Sequence, residues 1–244
     1  MDAAIQAIPL ANLATLFIPV LLAVFVLYKW SLNSGQALYA LLRMVLQLVL
    51  VGYCLHYIFN AGSSLIVIGV LFIMVFASSW IALGVVPSAR YRLYKYALAS
   101  IVVGGGLTLA IIVLGVLQLD PWYLPQFMVP LAGMVFANSM NSVSLTAERL
   151  NAEIERKVDY LKARHIAMQA ALIPIINSLF AVGLVSLPGM MSGQILSGVS
   201  PLIAVLYQIM VMCMVFASSV LSTAYFLMLS KPIFLKQLET TESP

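Results

Sequence analysis

Hydrophobic residues form long runs along the chain, and polar residues gather between them. A helix that crosses a bilayer needs about 20 mostly apolar residues. Seven runs reach that length, at residues 10 to 29, 37 to 59, 64 to 86, 97 to 118, 127 to 147, 170 to 190 and 202 to 229. The pattern predicts an all-α, polytopic membrane protein with about seven transmembrane helices, and a single membrane domain over residues 1 to 244.

The sixth run differs from the others because it contains breakers of helical structure. It carries Pro174 and ends in the sequence Ser-Leu-Pro-Gly at residues 186 to 189. Proline lacks the backbone N–H that a helix needs, and glycine weakens helices. Pro188 and Gly189 are therefore predicted to interrupt the sixth helix.

The composition supports a membrane location. The chain is 63% hydrophobic and 8% charged, with a mean hydropathy of +1.07, whereas about a quarter of the residues of a soluble domain are charged. Too few charged residues exist to build a surface that faces water. None of the eight acidic residues interrupts an apolar run, so the spans carry no carboxylate.

Basic residues occupy alternate connections between the runs, except Arg43, which lies early in the second run. The 12 are Lys29, Arg43, Arg90, Arg92, Lys95, Arg149, Arg156, Lys157, Lys162, Arg164, Lys231 and Lys236. Cytoplasmic loops are enriched in lysine and arginine, so the N-terminus is predicted outside and the C-terminus in the cytoplasm. The net charge of +4 is better explained by topology and anionic membrane lipid than by nucleic acid, since no aromatic platform accompanies the charges.

One connection, at residues 148 to 169, is long, charged and free of glycine and proline. It is predicted to form a helical arm on the cytoplasmic side. One apolar stripe and one i,i+4 ion pair between Glu153 and Lys157 favour the helix. The residues of the stripe are Leu150, Ile154, Val158 and Leu161. Two interpretations stay open: a solvated helical hairpin, or a surface that docks a cytoplasmic partner. The docking residues would be Arg149, Arg156, Lys157, Lys162 and Arg164.

Polar side chains within or beside the later runs could line a substrate pathway. Asn138, Asn141 and Ser142 share one face of the fifth helix, and two amides three residues apart exceed what packing requires. Gln194 and Gln208 are added to this candidate pathway. The alternative is that these side chains join helices by hydrogen bonds.

Other chemistry is weakly supported. Hydrolase and phosphate-loop motifs are absent, which argues against an enzyme. The glycines at 104 to 106 lie inside a run and predict close packing. Cys54 and Cys213 lack metal-binding spacing, so no metal site is assigned. Ion-coupled carriers place ionisable residues within the membrane, and here Arg43 alone comes close. A pore-forming subunit driven by a separate ATPase fits better.

Several segments resemble one family. The longest, GLVSLPGMMSGQILSGVSPLIAVLYQIMVM from Gly183 to Met212, resembles the signature of the FetB (YbbM) family of ABC-type permeases. Shorter segments agree, namely RMVLQLVLVGYCLHYIF from Arg43, VPLAGMVFANSM from Val129 and AALIPIINS from Ala170. The similarity extends over residues 37 to 229.

The resemblance implies a function and partners. The chain would be the permease subunit of an exporter in the bacterial plasma (inner) membrane, in a family linked to iron export. It would work with separate ATP-binding cassette subunits that supply ATP, and would itself carry no cofactor. A homodimer is expected by analogy of fold alone, because seven helices are few for a pore. Its signature loop would comprise Ser186, Leu187, Pro188, Gly189, Met190, Met191, Ser192 and Gly193.

The arm departs from the pattern that the resemblance implies. A Leu-Gly-Ala-x-Pro-like coupling segment is expected before the AALIP sequence, yet no glycine or proline occurs between Asn138 and Ala170. Two alternatives therefore stay open: a binding or regulatory membrane protein without ATPase coupling, and a facilitative channel.

Overall fold

The computed structural model describes residues 9–60 and 63–242. Their contacts form two units. The first contains residues 9–60 with Leu196–Gly198, and the second contains the other described residues. Every regular element in the described ranges is helical. These contact units do not define domains, so a single domain over residues 1 to 244 stays a prediction.

The first unit is a pair of long helices preceded by a short one. The helices are α1 (Leu10–Ala14), α2 (Phe17–Lys29) and α3 (Ser34–Asn60). Helices α2 and α3 contact each other, and Asn33 Oδ1 accepts a hydrogen bond from the Gln36 amide at 3.0 Å, which caps the start of α3. No described side chain within this unit is buried. Helices that are apolar on all sides are typical of membrane spans.

The second unit contains the buried core. Its helices are α4 (Ser64–Ala82), α5 (Arg90–Ile101), α6 (Leu107–Ala110), α7 (Pro125–Glu155), α8 (Tyr160–Ala181), α9 (Gly189–Leu196, whose last residue is in the first unit) and α10 (Pro201–Glu242). Helix α7 contacts α4, α8 and α10. Its buried side chains, such as Val135 and Val143, form the centre of the core.

Helices α5 and α6 belong to one helical run that widens into π-helix at Val102–Gly106 and Ile111–Val116. Gly104 and Gly105 are buried there. A Cβ atom at Gly104 would lie 2.5 Å from the amide nitrogen of Ser222 on α10, and one at Gly105 would lie 3.0 Å from Val135. The predicted close packing at this glycine sequence is confirmed for these two residues.

Five described helical segments have the length and hydropathy of a membrane span. They are Ala11–Lys29, Ser34–Phe59, Ser64–Val85, Pro87–Val116 and Pro201–Leu238. Helices α7 and α8 overlap the other two predicted spans but are not among the five. The all-helical membrane class is confirmed, whereas seven crossings and the orientation stay predictions.

The predicted arm at 148 to 169 is not a separate helix, because α7 continues into it and α8 starts within it. Helix α7 ends in a Schellman motif: the amides of Lys157 and Val158 donate to the carbonyls of Ile154 and Glu153 at 2.9 and 3.1 Å. Lys157 takes the left-handed conformation that this motif requires, with φ of 60°. The arm is therefore a helical hairpin whose turn lies at residues 156 to 159.

The apolar stripe predicted for the arm is wrong at its last position. Leu150 and Ile154 are fully buried and Val158 packs against the core, but Leu161 is 59% exposed. The turn rotates α8 relative to α7, so the i,i+4 spacing no longer applies across it. The predicted pair between Glu153 and Lys157 fails for the same reason, and Glu153 pairs with other residues.

The interruption of the sixth helix is confirmed, but it begins before Pro188. Helix α8 ends at Ala181, and Val182 is extended with ψ of 131°. Gly183 then adopts φ of 84°. The predicted sixth span to residue 190 is therefore too long, since the chain is non-helical until α9 begins at Gly189.

Candidate functional site

A cleft of about 90 Å³ lies between α7, α8 and α10 in the second unit. The i, i+3, i+4 and i+7 positions of α7 form one wall, as expected for residues on a single helix face. The lining residues are Asn138, Asn141, Ser142, Leu145, Ala171, Pro174, Ile175, Ser178 and Ser219. The structure thus brings three of the five predicted pathway residues together.

Polar atoms at this cleft are neutral oxygens and amides. Asn138 Nδ2 donates to the Met134 carbonyl at 2.8 Å. The Ser219 hydroxyl is buried and has no hydrogen-bond partner in the described part of the chain. A buried hydroxyl without a partner costs free energy, so a bound water or solute would stabilise it.

A row of hydroxyls holds α7 against α10 behind the cleft. Ser222 Oγ donates to Ser139 Oγ at 3.0 Å, and Ser139 Oγ donates to the Ser218 carbonyl at 3.4 Å. Gly104 contacts the backbone of Ser222 on the other side. Ser139 and Ser222 therefore join α7 to α10 beside Ser219.

Gln194 and Gln208 do not line the cleft. Each has a buried side-chain oxygen without a hydrogen-bond partner among the described residues. Gln208 is 5% exposed on α10. Their assignment to a pathway stays a prediction.

Four residues separate the end of α8 from the predicted signature loop. The Gly183 amide donates to the Ser186 carbonyl at 3.0 Å, and the Ser192 hydroxyl donates to the Pro188 carbonyl at 3.2 Å. Met190 packs against the core, and Met191 is half-buried. Gly189 and Gly193, both on α9, are exposed. The loop begins eight residues after Ser178 of the cleft, but no contact shown here assigns it a role.

The hairpin gives its basic residues different roles. Arg149 pairs with buried Glu153 at 2.7 Å, and Arg156 approaches the same carboxylate at 3.6 Å. Lys157, Lys162 and Arg164 are exposed. Arg149 therefore forms an ion pair within α7, whereas the other four side chains are exposed on the hairpin.

The inner side of the hairpin packs against the end of α10. Tyr160 donates its hydroxyl to the Leu227 carbonyl, and Gln237 Nε2 donates to Asn151 Oδ1 at 3.3 Å. Burial raises the pKa of Tyr160, while the charge of Arg164 acts to lower it. This part of the hairpin is packed on one face, unlike a fully solvated hairpin.

Every lysine and arginine in the described second unit lies at one end of it. Helix α5 begins there at Arg90, and α10 ends there beyond Lys231. Side chains from both helices, including Tyr94 and Ile233, line one depression. The contacts of the hairpin with α10 place its charges at the same end. The alternation of charge along the sequence thus corresponds to a charged end in space.

No group of three or more histidine, cysteine, aspartate or glutamate side chains that could hold a metal ion occurs in residues 9–60 and 63–242. Neutral oxygens such as those at the cleft suit hard cations that keep part of their water. The cleft can accept water, a hydrated cation or a small polar solute.

Helices of membrane-spanning length, a core of packed helices and one charged end define a polytopic helical membrane protein. The profile of the Uncharacterised protein family (UPF0014) matches residues 10–164 and 160–234. The chain belongs to this family.

Relatives from bacteria and a plant align over most of their lengths. UPF0014 membrane protein slr1647 of Synechocystis is 34% identical over 82% of this chain and 84% of its own. "Probable iron export permease protein FetB" of Escherichia coli is 33% identical over 87% and 86%. Protein ALUMINUM SENSITIVE 3 of Arabidopsis thaliana is 32% identical over 86% and 81%. The resemblance to the FetB family is confirmed.

No solved structure matches the chain significantly.

Three polar residues at the cleft and hairpin were missed by the sequence analysis: Ser139, Ser178 and Tyr160. Ser178 lies in the AALIPIINS segment, and Ser139 lies between the two asparagines that the pattern did identify. A serine in an apolar helix gives no signal of which helix it contacts, so only the fold reveals these positions.

Proposed function

We propose that this chain is the membrane-spanning permease subunit of an ABC-type exporter in the bacterial plasma membrane. Its substrate would be iron or another metal ion, and a separate ATP-binding subunit would power transport. The observation that carries this proposal is the cleft of Asn138, Asn141, Ser142 and Ser219, a polar site within otherwise apolar helices.

The relatives support the transport class. The Escherichia coli relative, 33% identical over 87% of this chain, is named a probable iron export permease. Intramembrane polar residues that face a cavity commonly mark substrate or ion pathways. The neutral lining favours a cation that passes with part of its hydration shell, because imidazole, thiolate and carboxylate ligands are absent from the lining.

The source of energy follows from the same lining. Carriers driven by protons or sodium use ionisable groups within the membrane, and no residue that lines the cleft is ionisable. This lining supports an energy source in a separate subunit. The charged end, with Arg156, Lys157, Lys162 and Arg164 exposed on the hairpin, is where an ATP-binding subunit would dock.

Two copies of the chain are proposed to form the working permease. A cleft of about 90 Å³ holds only a few water molecules, because one water occupies about 30 Å³ in the liquid. A passage for a hydrated cation needs more room. Two copies, with two ATP-binding subunits, would supply the second wall.

The test is transport by the full chain in proteoliposomes with the ATP-binding cassette subunit from the same organism. ATP-dependent movement of Fe²⁺ is expected, and Asn141→Leu should reduce it at least tenfold while the complex still forms. The matched control is Asn177→Leu, which removes an exposed amide of α8 that does not line the cleft.

Each contrary outcome identifies an alternative. Movement of Fe²⁺ without ATP would indicate a facilitative channel. If the chain neither binds the ATP-binding subunit nor moves any metal, it is the binding or regulatory membrane protein. If Asn141→Leu and Asn177→Leu changed the transport rate equally, the cleft would not be part of the substrate pathway.

A further inference from the structure

A depression of about 520 Å³ lies between the first two turns of α5 and the last part of α10. Basic and tyrosine side chains dominate its wall. The lining residues are Tyr91, Arg92, Tyr94, Lys95, Tyr96, Ile233 and Lys236. No acidic residue is among them, so the depression combines positive charge and hydroxyl donors with an apolar contact at Ile233.

This combination fits a phosphate group attached to an apolar body. Arginine binds phosphate oxygens through paired N–H donors, and lysine adds point charge. The depression also lies beside the N-terminal turn of α5, where the helix dipole favours an anion. Helix α5 has 12 residues, long enough for this contribution.

The neighbouring aromatic residues place the depression at the boundary between water and hydrocarbon. The Arg90 guanidinium lies 3.8 Å from the centre of the Trp80 ring and donates to the Trp80 carbonyl at 2.7 Å. Trp80 also makes edge contacts with Tyr91 and Tyr94, with ring centres 5.5 and 5.7 Å apart. Tryptophan and tyrosine gather at the level of lipid headgroups. Beyond this belt, α5 continues into an apolar run at Ala97.

We propose that this depression binds the headgroup of an anionic phospholipid, with its phosphate held by Arg92, Lys95 and Lys236. Basic pockets between transmembrane helices on the cytoplasmic side bind such headgroups. A soluble protein partner is a poorer match for this site, because its wall combines the basic side chains with aromatic residues typical of the headgroup level. The site does not depend on the transport function proposed above.

Native mass spectrometry of the full chain in detergent tests the site, with phosphatidylglycerol or phosphatidylcholine as the added probe. The wild-type chain should retain phosphatidylglycerol in preference to phosphatidylcholine. The triple variant Arg92→Gln, Lys95→Gln, Lys236→Gln should bind it roughly a hundredfold more weakly, because each basic side chain near an anionic headgroup contributes about fivefold.

Two control variants separate the site from general charge and from misfolding. The control variant Arg156→Gln, Lys157→Gln, Lys162→Gln removes the same number of positive charges, but from the hairpin. It should leave phosphatidylglycerol binding within about twofold of the wild type. Arg92→Lys, Lys95→Arg, Lys236→Arg keeps the charges and should bind within about tenfold of the wild type, since only the bidentate geometry changes.

Four results would overturn the proposal. Equal loss in the depression and hairpin variants would show a diffuse electrostatic effect. Unchanged binding in the depression variant would exclude the site. Displacement of the lipid by millimolar inorganic phosphate would identify a site for soluble phosphate. If the depression variant failed to retain the ATP-binding subunit but still bound the lipid, the depression would be a protein-docking surface.

Discussion

The hydroxyl of Tyr160, at the start of α8, donates a hydrogen bond to the carbonyl oxygen of Leu227 in α10. These residues are 67 positions apart in the chain. Tyr160 is 3% exposed, and the Lys231 ammonium lies 5.9 Å from the centre of its ring. This contact anchors the hairpin to the end of α10 and thereby links the charged end to the helix that carries Ser219.

Tyr160→Phe should lower the free energy of unfolding by about 1 kcal/mol, the usual net value of one buried hydrogen bond. Thermal unfolding in detergent, followed by circular dichroism, measures the change. Tyr91→Phe is the control, since Tyr91 is 82% exposed, and it should unfold like the wild type. An equal decrease in stability in both variants would show that the Tyr160 hydrogen bond has no particular stabilising role.

The advantage of tyrosine at position 160 should depend on pH. Burial raises the pKa of Tyr160 above the ordinary 10.0. The folded state therefore binds the phenolic proton more tightly than the unfolded state does. The stabilisation is fully present below pH 10 and is lost as the pH rises through the folded pKa. The difference in melting temperature between wild type and Tyr160→Phe should shrink above pH 10; a difference that grew there would contradict this sign.

Much of the fold follows from the sequence because a span must be long and apolar, and such runs are visible without tertiary information. The hairpin turn was not visible because neither glycine nor proline marks it. Lys157 occupies the left-handed position where glycine is usual. One signal was present: Asp159 caps α8 by accepting from the Leu161 amide at 2.9 Å, and aspartate is a preferred N-cap residue.

The cleft was predictable only along one helix. Asn138, Asn141 and Ser142 share a face because of the helical period, and the structure brings all three to the cleft. Ser178 and Ser219 reach it from α8 and α10, and nothing in their local sequence indicates that approach. Gln194 and Gln208 were included for their polarity alone, and they lie outside the lining.

Gly104→Ala should destabilise the chain by about 1–3 kcal/mol, the range for overpacking a tight contact. The added methyl would lie 2.5 Å from the Ser222 nitrogen and 2.8 Å from its Cα, so backbone must move. The control is Gly106→Ala, where nothing lies within 4 Å of the new atom. Thermal unfolding should separate the two; equal melting temperatures would contradict the close approach of α5–α6 to α10.

Cysteine labelling tests the orientation. In a chain with Cys54 and Cys213 replaced by serine, Gln126→Cys should react with a membrane-impermeant maleimide in intact cells. Lys157→Cys should react only after permeabilisation, because the basic end is predicted to face the cytoplasm. Both side chains are exposed, so accessibility within the fold does not bias the comparison. The reverse pattern would invert the topology.

Copurification with an ATP-binding cassette subunit tests the central claim most directly. The tagged full chain, expressed in membranes with the ATP-binding subunit of its own organism, should retain that subunit. Reversing charge at Arg156, Lys157, Lys162 and Arg164 together should release it, especially at low salt where surface charges are least screened. Folding should survive, because Glu153 keeps its closer pair with Arg149 at 2.7 Å and the charges of the other three side chains are exposed, where an ion pair contributes only about 0–1 kcal/mol. If the wild-type chain retains no ATP-binding subunit, or the quadruple variant retains it and still transports normally, the account of a permease coupled through this hairpin is contradicted.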